Sequence, residues 1–214
     1  MKLLAIDRST DTLSVAIAKD GAIAVRAYEG ADAKNADWPA KIRGFLAENG
    51  LEFSGLDRIV IGTGPGSFAG IRGALAFAQG LASGIRSKRA ELAGEPLVYG
   101  LPSPMALTRK SGPVAVVGDA RRGLFWVVAY DGAETVLDFR LVQKDALFAA
   151  VPENASVATS DGARIGEVLE EIFKERYSGS MPPSAGTLAQ IALDSPQLLV
   201  PEPLPVYLSP AVRV

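Results

Sequence analysis

Gly62-Thr63-Gly64-Pro65-Gly66-Ser67-Phe68-Ala69-Gly70 follows the apolar run Arg58-Ile59-Val60-Ile61 and leads into a segment rich in alanine and glycine. A strand that ends in a glycine loop and turns into a helix can present backbone N–H groups at the helix N-terminus. Pro65 fixes one φ angle, the glycines reach conformations that other residues avoid, and Ser67 is placed to cap the helix. The stretch lacks the Gly-Lys-Ser/Thr ending of a P-loop, and its glycine spacing misses the dinucleotide fingerprint. It reads either as a structural turn or as an anion cradle.

The 214 residues suffice for one domain or two small ones, and 48% hydrophobic with 21% charged residues is an ordinary globular balance. A net charge of −2 argues against a general nucleic-acid binder, and the short cluster Arg86-Ser87-Lys88-Arg89 reads as a solvated helix end. Cysteine and histidine are both absent. That excludes disulfides, thiolate nucleophiles, Cys/His zinc sites and a Ser-His-Asp triad. Chemistry would rest on carboxylates, lysines, hydroxyls, amides or a hard metal such as Mg²⁺. Asp7 and Arg8 interrupt the apolar start too early for a secretion signal, and no run reaches the length of a membrane span. The expectation is a soluble, cytoplasmic protein.

Strands are expected at 2–7, 13–18 and 22–28, with an Asp20-Gly21 hairpin turn between the last two. Asp37 is placed to cap a helix, with Pro39 in its first turn; Trp38, Ile42, Phe45 and Leu46 recur at helical spacing, and Asn49-Gly50 ends it. A strand at 57–61 and a helix from Ser67 to Ile85 follow. Phe68, Ile71, Leu75, Phe77, Leu81 and Ile85 give that helix bulk, while Gly70, Gly73, Ala74, Ala76, Ala78, Gly80, Ala82 and Gly84 give almost none. Each interior glycine costs about 0.5–1 kcal/mol relative to alanine, so the pattern implies a closely approached packing surface.

Pro96 to Pro104 reads as a boundary, dividing the chain into lobes 1–100 and 101–214. Strands are expected at 114–119, 124–131, 135–142 and 156–159, helices at 144–151, 165–173 and 185–193, and a loop at 178–184. The tail from Pro196 is proline-rich through Val206-Tyr207-Leu208-Ser209-Pro210. Each half opens with a strand ending in Asp (Asp7, Asp119), then a turn, a strand, an Asp-Gly turn (Asp20-Gly21, Asp131-Gly132) and a third strand. Two such halves imply an α/β chain with a cleft lined by the acidic turns.

The segment Gly64-Pro65-Gly66-Ser67-Phe68-Ala69-Gly70-Ile71-Arg72 resembles the signature of the bacterial TsaB (YeaZ) family. Leu4-Ala5-Ile6-Asp7-Arg8-Ser9-Thr10, Asp119-Ala120-Arg121-Arg122-Gly123 and Ser160-Asp161-Gly162-Ala163 agree in order and spacing, so the resemblance covers nearly the whole chain. It implies the two-lobed, ribonuclease H-like fold of the actin and Hsp70 ATPases, with mixed five-stranded sheets. It implies a role in installing N6-threonylcarbamoyladenosine at position 37 of tRNAs that read codons beginning with A. The family member is a non-catalytic paralogue of the catalytic subunit TsaD. It forms homodimers when alone, pairs with TsaD, works with the ATPase TsaE, and meets tRNA only through the complex.

By the same resemblance, the partner interface falls on Trp38, Ile42, Phe68, Gly70, Ile71, Gly73, Ala74, Leu75, Phe77 and Gly80. Where many members carry a histidine near the first helix, this chain has Asp37-Trp38. Asp7, Ser9, Asp119, Arg121, Arg122, Asp161 and Gly162 occupy turns that grip phosphate and Mg²⁺ in active ATPases of the superfamily. The acids read either that way or as structural turn residues. Arg121 and Arg122 either pair with acids or approach a phosphate. Arg8 is bulky where phosphate approach needs a small residue. No catalytic residue and no resident metal are assigned. ATP or ADP with Mg²⁺ is expected, if anywhere, at a partner interface; the competing reading is a small Mg-dependent ATPase or kinase. A metallopeptidase, the older "glycoprotease" label, is rejected because the usual ligands are missing.

Overall fold

The computed structural model describes residues 1–92, 97–108 and 111–208. Pro96 and Ser209-Pro210, part of the expected boundary and tail, lie outside the described residues. The chain first lays down β1 (Lys2–Asp7), β2 (Leu13–Lys19), β3 (Ala22–Tyr28), α1 (Ala31–Lys34), α2 (Trp38–Glu48), β4 (Arg58–Gly62), α3 (Phe68–Arg86) and β5 (Val98–Leu101). The second series is β6 (Val114–Arg121), β7 (Leu124–Asp131), β8 (Glu134–Gln143), α4 (Leu147–Ala150), β9 (Ser156–Thr159), α5 (Gly162–Phe173) and β10 (Tyr177–Ser180). α6 (Ala185–Asp194) and β11 (Val200–Pro201) follow.

These elements form two compact units. One comprises Met1–Ala106 with Ser184–Val206; the other comprises Leu107–Pro183 with the segment from Tyr207. The division expected at residue 100 is therefore corrected: the junction follows Ala106, and α6 and β11 belong to the first unit. The physical reason is burial of a sheet face, since α6 lies against β1, β2, β3 and β4. Its first N–H, at Ala185, donates to the buried hydroxyl of Ser14 on β2 (2.8 Å).

The first sheet runs β11-β5-β4-β1-β2-β3. β1 pairs antiparallel with β2 and parallel with β4, and β4 pairs parallel with β5. Leu3 through Asp7 are all buried, as both faces of a covered central strand require. Leu4, Ile6, Ile59 and Ile61 meet Ile42, Leu46, Ile71, Leu75 and Ala78 of α2 and α3 in one apolar cluster. The second sheet repeats the order as β10-β9-β6-β7-β8. There β6 pairs antiparallel with β7 and parallel with β9. Ile165, Leu169 and Phe173 of α5 cover Ala115, Val117, Val127 and Val157. The architecture is α/β with two mixed sheets, both containing the strand order 3-2-1-4-5.

Four local expectations differ. The stretch read as a proline-rich boundary contains β5, whose Val98 and Leu101 are buried. Residues 177–180, mostly read as loop, form β10 beside β9. The first sheet has six strands because two residues, Val200 and Pro201, pair with Tyr99 and Gly100 of β5. Asp37 stands at the α2 N-cap without a side-chain cap bond, whereas Ser67 Oγ accepts from the Gly70 N–H (3.2 Å).

Glycines divide by environment. A Cβ on Gly118 would fall on the Trp126 ring, whereas one on Gly80, in the interior of α3, meets nothing within 4 Å. Gly118→Ala is expected to lose about 1–3 kcal/mol through overpacking. Gly80→Ala is expected to gain about 0.5–1 kcal/mol through a less flexible unfolded chain. Urea unfolding of the two variants against wild type checks both signs.

Candidate functional site

The first acidic turn is built by close backbone approach. Asp7 ends β1, and its Oδ1 accepts from the Ser9 N–H (2.8 Å) and the Ser9 hydroxyl (2.7 Å). The glycine loop lies directly on this turn. A Cβ on Gly66 would fall on the Ser9 carbonyl oxygen, and one on Gly70 on the Arg8 carbonyl oxygen. The Ser67 N–H donates to the Ser9 carbonyl (2.6 Å), and the Gly64 N–H donates to Ser103 Oγ (2.9 Å). N–H groups that an anion cradle would present thus bond within the unit.

Asp7 is 1% exposed. Its Oδ2 rests on Gly62, where any Cβ would collide with it, and has no hydrogen-bond partner among the described residues. The Ser103 hydroxyl stands beside it. Burial raises the Asp7 pKa above the ordinary 3.8, outweighing Ser103 and Ser9, which pull it down.

The second turn uses the same local device. Asp119 Oδ1 accepts from the Arg121 N–H two residues on (2.7 Å). This holds Arg121 at φ 68°, followed by Arg122 at 56° and Gly123 at 77°. Asp119 Oδ2 faces the guanidinium groups of Arg121 (3.4 Å) and Arg164 (3.6 Å). Asp161 accepts from the Asp119 N–H (3.0 Å) and pairs with Arg164 (2.5 Å). The Gly162 N–H, at the start of α5, donates to Ser180 Oγ (3.1 Å). The structure therefore joins Asp119, Arg121, Asp161 and Gly162, adds Arg164, and leaves Arg122 beside a separate open cavity with Leu124, Lys144 and Ile172. Arg164 was legible only as a basic residue three positions after Asp161 on a helix.

Neither turn suits a magnesium–nucleotide complex within its own unit. Mg²⁺ asks for ionised oxygens with room for several waters. Asp7 is sealed and biased toward its neutral form, and Asp119 and Asp161 are engaged by arginines. Among the described residues no group of three or more acidic side chains is placed to hold a metal.

The expected interface residues also separate. Trp38, Ile42, Gly70, Ile71, Ala74 and Leu75 are buried inside the first unit. That corrects their assignment to the partner interface: their helical spacing fits α2 and α3 to their own sheet. Phe77 is partly buried, edge-on to Trp38 at 4.8 Å between ring centres. The outward face of α3 instead carries Phe68, Arg72, Ala76, Gln79, Gly80, Ser83 and Gly84, with Gly73 partly exposed. Phe68 is 49% exposed, and the Arg72 guanidinium stacks on its ring at 4.8 Å. α2 presents a similar outward row of Ala40, Gly44 and Ala47.

Comparisons with known proteins follow this pattern. The family described as "TsaD: tRNA N6-adenosine threonylcarbamoyltransferase" matches residues 37–158. The Escherichia coli K12 "tRNA threonylcarbamoyladenosine biosynthesis protein TsaB" is 32% identical over 133 residues, covering 59% of this chain and 54% of that protein. An uncharacterized protein of Mycobacterium tuberculosis H37Rv is 32% identical over 139 residues, covering 63% of this chain and 62% of its own. The chain thus spans 54% to 62% of the length of these curated relatives. Among solved structures, YeaZ from Pseudomonas aeruginosa superposes with a TM-score of 0.73 at 25% identity, covering 97% of this chain and 99% of that one. A second Pseudomonas aeruginosa structure, of a protein with similarity to peptidase YEAZ, gives 0.75 at 23% identity over 97% and 99% and shares the fold.

The sealed Asp7 makes a pH-dependent prediction. A carboxyl whose folded pKa is raised stabilises most below its unfolded pKa and loses that contribution as pH rises through the folded pKa. Asp7→Asn keeps an acceptor for Ser9 and carries no charge. The stability difference between Asp7→Asn and wild type is expected to move in favour of the asparagine as pH rises above about 4. Urea midpoints measured from pH 4 to 8 report it; a difference independent of pH over that range contradicts the assignment.

Proposed function

The chain belongs to the tRNA N6-adenosine threonylcarbamoyltransferase (TsaD) family and, within it, to the TsaB/YeaZ group, and on that premise we propose that it is a non-catalytic interaction subunit in N6-threonylcarbamoyladenosine biosynthesis. Its partner is a TsaD-like catalytic subunit, supported by a TsaE-like ATPase, and the product is the modified adenosine at position 37 of tRNAs reading codons that begin with A. It meets tRNA through that complex, works in the cytoplasm, and forms a homodimer when the partner is absent. ATP or ADP with Mg²⁺ belongs to the assembled complex rather than to this chain alone. No helix among the described residues is long and apolar enough to cross a membrane.

The observation that carries the reading is the outward face of α3. A Cβ on Gly80 or Gly84 meets nothing within 4 Å, and Phe68 stands 49% exposed at the head of the same face. Glycine and alanine let a second helix approach closely, while an aromatic anchor at the edge supplies buried area. Such glycines weaken an isolated helix, so their presence on a solvent-facing side favours a use in contact. The competing reading, a small Mg-dependent ATPase or kinase, is disfavoured by the engaged carboxylates of both turns.

Gly80→Trp is expected to abolish association with the TsaD subunit of the same organism while the far-UV spectrum and unfolding midpoint stay near wild type. Calorimetry of the purified pair measures this; unchanged affinity refutes the α3 interface. Depletion of the protein from its own cells is expected to remove N6-threonylcarbamoyladenosine from tRNA hydrolysates, with wild type restoring it and Gly80→Trp failing to do so.

A further inference from the structure

Arg8 follows the sealed Asp7, and its side chain leaves the turn toward the helices. Its Nη2 donates to the Ala33 carbonyl of α1 (2.9 Å), and its guanidinium lies over the Trp38 ring of α2 at 4.6 Å. A Cβ on Gly73 of α3 would stand 3.5 Å from its Nη1. One cation thus touches all three helices of the first unit's α2/α3 side. Among the described residues no carboxylate comes within ion-pair distance of it; the ion pairs formed nearby are Lys34 with Asp11 (3.2 Å) and Lys41 with Asp32 and Asp37 (3.8 Å to the latter). Burial pushes the Arg8 pKa down with no acid to offset it, and the group remains charged at any ordinary pH.

Arg8 also lines a cavity of about 250 Å³ with Thr10, Thr12, Lys34, Ser67 and Gly70. The local charge is positive: Arg8 and Lys34 outnumber Asp11. The cavity opens at the head of α3, beside the Phe68 and Arg72 end of the outward face. A partly desolvated guanidinium without a counter-ion, held in place by a carbonyl and an aromatic ring, is organised to accept a planar anion.

We infer that this cavity receives an aspartate or glutamate side chain from the protein that docks on α3, and that Arg8 is its anchor. The inference rests on the interaction-subunit reading above and adds the chemistry of the contact. A carboxylate is favoured over an RNA phosphate by size, since a phosphodiester carries the same single charge but is flanked by two ribose groups. The cavity adjoins a flat helix face suited to protein rather than a broad basic surface, and the whole chain has a net charge of −2.

The test is calorimetric association with the TsaD subunit for wild type, Arg8→Lys, Arg8→Gln, Arg8→Glu and Gly80→Trp, with circular dichroism confirming the fold of each. Arg8→Gln is expected to weaken binding about tenfold or more, Arg8→Lys less, and Arg8→Glu most. One acid-to-lysine change in the partner is expected to restore affinity to Arg8→Glu but not to Gly80→Trp. Loss of binding with Gly80→Trp and wild-type affinity for Arg8→Gln overturns this inference and leaves the interaction reading standing. No association of the wild-type chain overturns both. Unchanged protein affinity with weaker tRNA binding by the Arg8→Gln complex assigns the cavity to RNA and also overturns it.

Discussion

The contact between the glycine loop and the backbone of Arg8-Ser9 governs the first unit. It requires the absence of side chains at Gly66 and Gly70, because carbonyl oxygens occupy the space where Cβ atoms would stand. The bond from the Ser67 N–H to the Ser9 carbonyl then fixes where α3 begins relative to the end of β1. Three consequences follow from that one fit. Asp7 is sealed beneath the loop. α3 turns Ile71, Leu75 and Ala78 toward the sheet and Gly80 and Gly84 away from it. Arg8 is directed out of the turn and across Trp38.

The two units show how one local device can have two outcomes. Both Asp7 and Asp119 use a carboxylate oxygen to hold the N–H two residues ahead. In the first unit the other oxygen is enclosed against Gly62, and burial favours the neutral acid. In the second it stays near the surface and is met by Arg121 and Arg164. Desolvation answers the charge in one place and ion pairing in the other. In both, the acid is committed to its own unit.

Much of this was legible in the residues. The repeat of Asp-terminated strands and Asp-Gly hairpins gave the α/β plan, and the capping role of Ser67 was readable from its place before a periodic apolar run. β5 was hidden because Pro96, Gly100 and Pro102 look like punctuation. Gly100 is there because Pro203 and Thr63 pack against it, and a contact from a hundred residues away leaves no local trace. The small-faced helix is legible from its glycines and alanines, but what its bulky stripe packs against is not. Periodicity identifies an apolar stripe without saying what covers it, and here the protein's own sheet covers Ile71 and Leu75. Arg8 was legible only as an obstacle to phosphate; its reach to Ala33, Trp38 and Gly73 depends on three helices meeting.

The return of α6 to the first sheet bears on how the chain is made. Ser14 receives its partner N–H from Ala185, so the face of β1 and β2 stays uncovered while the intervening residues are synthesised. The bulk of the second unit, Leu107 to Pro183, is unbroken in sequence, whereas the first unit waits for Ser184–Val206 to cover its sheet. The α2/α3 helix pair is therefore mounted on a unit completed only once α6 emerges, and a nascent chain stalled before α6 would leave an apolar sheet face open.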